Sequence, residues 1–423
     1  MQEKQSAINK YLISLFTLIL VIATSFFWLN YKYSAPIDIK NLSNLVDVTV
    51  NTNNDIEAQK PLSNPPKIIK AAYVTGWSAG SSKKVLRLID LINTSELNTL
   101  VIDVKDYTGT ISYLSNSPLV QKYNTAEKRI PKINSLIKQL HDANIYVIAR
   151  IVVFEDQKLA LARPDLALRS KKTNGLWTTT NGQYWLDSFS REVWDYNIEI
   201  AKDALSHGFD EINFDYIRFA SDGDLKDIIY PFYNDKIIKK EVMRSFFAYL
   251  RQNLGEAKLS ADLFGMATTN NDDLGIGQYL ENALPYFDAI APMVYPSHYI
   301  SGFLNFKNPA KAPYEVVRYS MDQAVARMQK YQDIRVAAMV QQAAANIQSQ
   351  VNMPINKNYT IPLPIRAKLR PWLQDFNLGA TYGPVEVGAQ IKAVNDADLD
   401  QKFIDGWMLW NPSNIYTKDA LRN

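Results

Sequence analysis

The chain has 423 residues, 47% of them apolar and 12% aromatic, enough to bury one large core or a few ordinary ones. Its net charge is +3 with acidic and basic residues interleaved, which leaves no basic footprint for nucleic acid. The lack of cysteine excludes disulfides, thiol nucleophiles and thiolate zinc sites, and the three histidines, His141, His207 and His298, are too few for a histidine-rich metal centre, so catalysis falls to carboxylates with no metal or cofactor expected.

From Tyr11 to Tyr31 no residue is charged, and the apolar run is about as long as a bilayer is thick. It reads as an anchor spanning residues 1–33, a transmembrane helix that leaves the rest of the chain extracytoplasmic, since Lys4 and Lys10 precede it. A cleaved signal peptide is the competing reading, but Phe26, Phe27 and Trp28 occupy the place of a small-residue cleavage site. Residues 34–67, rich in Asn, Asp, Ser and Pro, read as a flexible linker, and 68–423 as one folded domain.

A strand and helix rhythm then begins. Strands are predicted at 71–77, 99–106, 145–154, in the stretch 208–220, and at 259–264 and 289–295, with helices at 83–93, 131–143, 191–206, 235–254 and 314–331 between and after them. Ile334–Val340 is strand-like in composition, yet its apolar residues continue at helical spacing, so 333–364 is read as a partly helical insertion. A seventh strand at 367–373, a helix at 385–394 and a strand at 406–410 complete eight units. Eight βα units closing on themselves make a (β/α)8 TIM barrel, of class α/β.

The organising stretch is Gly208–Ala220, G-F-D-E-I-N-F-D-Y-I-R-F-A. Period-two alternation puts Ile212, Phe214 and Tyr216 on one face and Asn213 and Asp215 on the other. Strands of a parallel sheet are covered on both sides, so Asp215 lines a cleft or needs a partner, unless this is a solvated edge strand. The carboxyl ends of the other strands offer Trp77, Asp103 with Lys105 and Asp106, Arg150 with Glu155 and Asp156, Arg218, Asp262, Tyr295 with His298, Trp372 with Gln374 and Asp375, and Trp410 with Asn411. Carboxylates ringed by aromatic side chains suit a sugar, whose faces stack on rings and whose hydroxyls bond to acids and amides. Structural roles compete at several positions: Asp103 is placed to pair with Lys105 or Arg150, Glu155 and Asp156 to cap the next segment, and Trp372 to fill the core.

Seven segments in order, A-Y-V-T-G-W (72–77), R-I-V-V-F-E-D (150–156), G-F-D-E-I-N-F-D-Y-I-R-F (208–219), S-A-D-L-F-G (260–265), A-P-M-V-Y-P-S-H-Y (291–299), R-P-W-L-Q-D-F (370–376) and G-W-M-L-W-N-P-S-N-I-Y (406–416), carry a resemblance. Through them the chain resembles an uncharacterised family of barrel proteins of bacterial envelopes, labelled a domain of unknown function and suspected of glycoside hydrolysis. The resemblance covers about 70–416 and implies a TIM barrel acting on glycosidic bonds; Ala220 stands where the family usually has proline. A more distant likeness to chitinase-type barrels lays their D-G-x-D-x-D-x-E strand over Gly208–Ile217, where Ile217 replaces the proton-donating acid.

The expectation is therefore a membrane-tethered glycoside hydrolase with a carbohydrate substrate. Asp215 would be the nucleophile or stabilising anion with Arg218 keeping it ionised, and Asp262 the general acid, with Asp103 or Glu155 as substitutes. Trp77, Tyr295, Trp372 and Trp410 would be sugar platforms, with Arg150, His298, Gln374 and Asn411 as further substrate contacts. Two alternatives stay open: a non-catalytic glycan-binding envelope protein, and a serine esterase using Ser78 of G-W-S-A-G with His298 as base. Oligomeric state is not legible in the sequence.

Overall fold

The computed structural model describes residues 55–350 and 360–422, the backbone alone for 344–350. The expected anchor and the linker up to residue 54 lie outside these, and among the described residues no helix is long and apolar enough to cross a membrane. Eight parallel staves close into a barrel: β1 (Ile69–Val74), β2 (Thr99–Lys105), β3 (Tyr146–Val152), β4 (Glu211–Asp215), β5 (Lys258–Phe264), β6 (Ala289–Met293), β7 in two pieces (Lys368–Leu369 and Trp372–Gln374) and β8 (Gly406–Trp410). Around them run α1 (Ser82–Asn93), α2 (Ile133–Asp142), α3 (Arg191–His207), α4 (Lys239–Leu254), the single turn α5 (Leu280–Ala283), α6 (Pro313–Gln350) and α7 (Pro384–Ala397). The expected (β/α)8 barrel is present, with strand ends within three residues of the predicted ones except in the stretch 208–220, of which only Glu211–Asp215 is strand.

Alternation along each stave separates two apolar layers. Ile212 and Phe214 of β4 point outward into the main core under the helices and are fully buried, each contributing roughly 1.5–3 kcal/mol. Ala71, Tyr73, Val101, Ile148, Ala291, Trp372 and Met408 point inward and fill the barrel. β4 pairs with β3 on one side and β5 on the other, so the edge-strand reading of Asn213 and Asp215 is excluded. Closure depends on Gly406, which faces Ile69 with φ +136°; a Cβ there would lie 1.8 Å from the Ile69 carbonyl oxygen. β7 breaks at Arg370–Pro371, where proline has no N–H to give a ladder.

Two expectations change and one holds: the residues at 334–340 are helical, as their spacing indicated, and α6 runs unbroken through them, its 38 residues more than twice the length of α3. Its first half packs through Val316, Val317, Met321, Ala324 and Met328, while Ile334, Val336, Met339 and Val340 beyond are exposed. Residues 55–67 do not hang as a flexible linker. Asp55 caps α2, accepting from the backbone N–H groups of Asn134 (2.6 Å) and Ser135 (3.0 Å), and the Leu62 N–H donates to Asp210 at 2.6 Å. Lys105, expected in the cup by alternation from Asp103, is turned outward by a β-bulge between the two residues. Its ammonium is fully buried against Asp156 (2.7 Å), the Val152 carbonyl (2.7 Å) and Asn197 of α3 (3.1 Å).

Candidate active site

β4 ends on a turn that aims Asp215. Tyr216 adopts the left-handed region (φ +52°), sparsely populated for an aromatic residue, and its N–H donates back to Asp215 Oδ1 at 2.6 Å. The other oxygen, Oδ2, receives Nη2 of Arg150 at 2.5 Å and Nε at 3.2 Å. All three contacts are donors, the pattern of an ionised carboxylate. Arg150, at the end of β3, is therefore the partner expected of Arg218, which makes no hydrogen bond to Asp215.

Arg150 is shared. Its Nη1 donates to Asp103 Oδ1 at 2.5 Å, and its Nε lies 3.8 Å from Asp262 Oδ2. Burial alone would lower the pKa of Arg150, but the surrounding carboxylates hold it well above the ordinary arginine value. Asp103 is closed off: Tyr73 donates its hydroxyl to Oδ2, so both oxygens are taken, and the side chain does not line the cavity.

Asp262, on β5, is the unbalanced member. Oδ1 accepts from Asn213 Nδ2 and Trp372 Nε1, each at 2.8 Å, whereas the buried Oδ2 has no hydrogen-bond donor. Burial first, and the charge of Asp215 second, push its pKa well above the carboxylate range, against the pull of Arg150, Asn213 and Trp372. Two carboxyl groups thus share one guanidinium nitrogen, the first bonded to three donors and the second driven toward its neutral acid. That shared contact keeps the two oxygens within the roughly 9.5 Å allowed for a glycosidase pair.

These groups open into a cavity of about 470 Å³ lined by Arg150, Asp215, Tyr216, Arg218, Asp262, Phe264, Gly265, Met266, Met293, Tyr295, His298, Tyr299, Trp372 and Trp410. Trp410 stacks on Tyr73 with ring centres 3.8 Å apart and carries the Arg150 guanidinium 5.0 Å from its own. Trp372 is fully buried, so its contribution is the N–H to Asp262 rather than an open face. His298 sits against Tyr295 and Phe376 with Nδ1 3.0 Å from the Ser297 hydroxyl, and burial lowers its pKa.

Other predicted residues lie outside the cavity. Glu155 is not among its lining side chains, but burial pushes its carboxyl up to about 7, with Arg218 pulling down and Asp222 and Asp215 adding to the rise. Asp156 caps the helical turn Gln157–Ala162 through the Leu159 N–H (2.7 Å), which separates its role from that of Glu155. Gln374, fully buried, accepts from the Ser297 N–H and donates to the Phe376 carbonyl, bracing the loops after β6 and β7. Asn411 donates to the backbone carbonyls of Asp375 and Ile415 and shapes the loop after β8. Trp77 stands outside the cavity, 64% exposed, with Arg129 5.2 Å from its ring centre. Ser78 lies buried in a helical turn (Gly76–Ala79), accepting from Lys84 Nζ and the Thr75 hydroxyl, each at 3.1 Å, with no histidine in contact. It therefore lacks the base an esterase needs.

Sequence reasoning did not assign roles to Tyr73, Met266, Met293 or Tyr299. Period-two counting inward from Ala71 and Ala291 reaches Tyr73 and Met293; Met266 and Tyr299 lie on loops, where no periodicity applies.

An eight-stave barrel whose carboxyl face holds two carboxyl groups beside one arginine inside an aromatic cup has the features of glycoside-hydrolase-type barrels. The chain belongs to the family described as "Putative glycosyl hydrolase domain", which it matches over residues 71–361 and 346–416. Among solved structures it is similar to the glycoside hydrolase domain of PgaB (BpsB) from Bordetella bronchiseptica, 13% identical over 84% of this chain and 99% of that one with a TM-score of 0.54, a likeness of fold alone. A hypothetical protein from Ruminiclostridium thermocellum is 37% identical over 48% of this chain and 98% of its own, with a TM-score of 0.43. The glycoside hydrolase domain of PelA from Pseudomonas aeruginosa is 10% identical over 83% and 97%, with a TM-score of 0.40. No curated protein matches the sequence.

Proposed function

We propose that the protein hydrolyses glycosidic bonds of an extracytoplasmic polysaccharide, with Asp262 as general acid and Asp215 as the anion that attacks or stabilises the anomeric carbon. The observation that carries this is the pairing of Asp215 and Asp262 on one guanidinium nitrogen at the floor of an open aromatic cavity. Because Asn213 and Trp372 occupy Oδ1 of Asp262, its proton belongs on Oδ2. From there it passes to the glycosidic oxygen as the bond to the anomeric carbon breaks; water then adds to that carbon and returns a proton to Asp262, so the acid is regenerated. Tyr295 and Trp410 supply the inner sugar contacts and Trp77 an outer platform. Asp103 serves by holding Arg150.

The test is release of reducing ends from envelope polysaccharides by the full-length chain and by Asp215→Asn. Turnover by the wild type with a loss of at least about 10³-fold in the variant is expected. Equal rates would remove Asp215 from the chemistry, and glycan retained without shortening would make the protein a binder. The apolar run Tyr11–Tyr31 supports reading the protein as a tethered enzyme with its barrel outside the cytoplasm. The full chain should stay with membranes after a carbonate wash, whereas a chain starting at Asp55 should not.

A further inference from the structure

Arg218 is a buried cation that the mechanism above leaves unused. It is 8% exposed, follows β4, and lines the cavity together with Asp215. The other two arginines buried this deeply, Arg150 and Arg370, each grip at least two carboxylates, whereas Arg218 makes no salt bridge among the described residues. Its Nη1 donates to the Phe219 carbonyl at 3.1 Å and the Ser221 hydroxyl at 3.0 Å. Its guanidinium carbon lies 4.7 Å from the ring centres of Trp185 and Phe264 and 5.1 Å from that of Tyr216, so three rings and one bonded edge fix its orientation.

The opposite edge, Nε and Nη2, has no hydrogen-bond partner among the described residues and is not sealed from solvent. This is the edge with which Arg150 holds Asp215. A desolvated guanidinium without an anion is costly, and burial accordingly lowers its pKa despite the pull of Tyr216, Asp215, Glu155 and Asp222. Glu155 does not fully neutralise it at neutral pH, because burial raises the Glu155 carboxyl to about 7.

We propose that the free edge of Arg218 receives a carboxylate of the ligand, and that the glycan bound in this cavity therefore carries uronic acid or an equally acidic sugar. Two parallel N–H donors match the two oxygens of a carboxylate, which a neutral hydroxymethyl group does not offer. The inference rests on the glycosidase reading for the position of the acidic sugar beside the bond that is cut.

The experiment uses the full-length chain as Asp215→Asn, which binds without turnover. It is presented with uronate-containing polysaccharides, each beside its carboxyl-reduced derivative, and with sulfated polysaccharides beside their desulfated forms. At least one uronate polymer should bind about tenfold or more tighter than its reduced form, and adding Arg218→Gln should abolish that difference while leaving the thermal midpoint within a few degrees. No preference for any uronate over its reduced form, a preference that survives Arg218→Gln, or a preference for sulfated glycans alone would each overturn the proposal. Hydrolysis is scored separately with native Asp215: discrimination without shortening of any glycan keeps the acidic ligand and removes the glycosidase, while equal shortening of acidic and reduced forms does the reverse.

Discussion

Two arginines stand inside the barrel, one near each end, and they differ in how completely their partners are satisfied. At the amino-terminal end Arg370 donates to both oxygens of Glu211 (2.9 and 3.1 Å) and both of Asp405 (3.2 and 2.9 Å). At the carboxyl end Arg150 answers to three carboxyl groups, and one oxygen of Asp262 is left without a donor beside an open cavity. A buried ion cluster with every acceptor filled is a structural clamp. One with an acceptor left over beside a cavity is, under the proposed function, where a proton for the chemistry would be held.

The contrast can be broken most sharply at Asp262. Asp262→Asn should lower turnover of natural glycans by about 10²–10⁴-fold with a small effect on stability, and the loss should shrink for aryl glycosides whose leaving group needs no proton. A uniform loss for both kinds of substrate would show that Asp262 does not donate the proton. Next come the arginines themselves. Arg370→Met leaves the buried Glu211 and the half-buried Asp405 without their cation and should cost about 3–5 kcal/mol in urea denaturation, with activity per folded molecule unchanged. The same change at Arg150 should abolish activity as well; an Arg370 variant that is stable but inactive would reverse the two assignments.

A smaller effect lies in pH. The Glu155 carboxyl has its folded pKa raised to about 7 by burial, so the neutral form is favoured in the fold. Its contribution to stability is therefore fully present below the unfolded value near 4.3 and is lost as pH rises through about 7. Glu155→Gln should flatten the wild-type decline in stability between about pH 5 and 8 by roughly 2 kcal/mol, and an unaltered slope would contradict the burial. The smallest effect is expected at Trp77, whose exposure keeps it out of the core. Trp77→Ala should leave stability within about 0.5 kcal/mol and weaken polysaccharide binding several-fold, by roughly 1 kcal/mol; a change in stability alone would make it a structural residue.

Much of the architecture was legible before any coordinates. The 3.6 and 2.0 periodicities marked every stave and most of the long helices, because each element must bury one face and the spacing of apolar residues records which. They also placed Asp215 and Asp262 at the carboxyl ends of neighbouring staves. The short turn α5 left no periodic trace, having too few residues to show one. The helical run beyond Tyr331 gave an ambiguous signal because Ile334, Val336, Met339 and Val340 face solvent rather than a core. The linker looked flexible in composition, yet three ordinary contacts through Asp55, Gln59 and Leu62 hold its last residues to the barrel.

Partnership was not legible, and the polar residues show why. Lys105 and Asp103 share a strand face by counting, but one bulge sends the lysine outward to Asp156 and leaves the aspartate to Arg150. Arg218 lies three residues from Asp215 and looked like its counter-ion, while the contact belongs to Arg150, 65 residues earlier. Gln374 and Asn411 sit at strand ends, as substrate contacts should, and spend their hydrogen bonds on neighbouring loops.

The sequence by itself determined the barrel, its reading direction and the ring of acids and aromatics at its open end, since these follow from local periodicity and chain order. Only the tertiary structure decided which acid an arginine grips, which is driven toward its neutral form and which buried arginine lacks a salt bridge. Those properties depend on burial and on charges a few ångströms apart in space and scores of residues apart in the chain, and electrostatic energy follows the first distance, not the second.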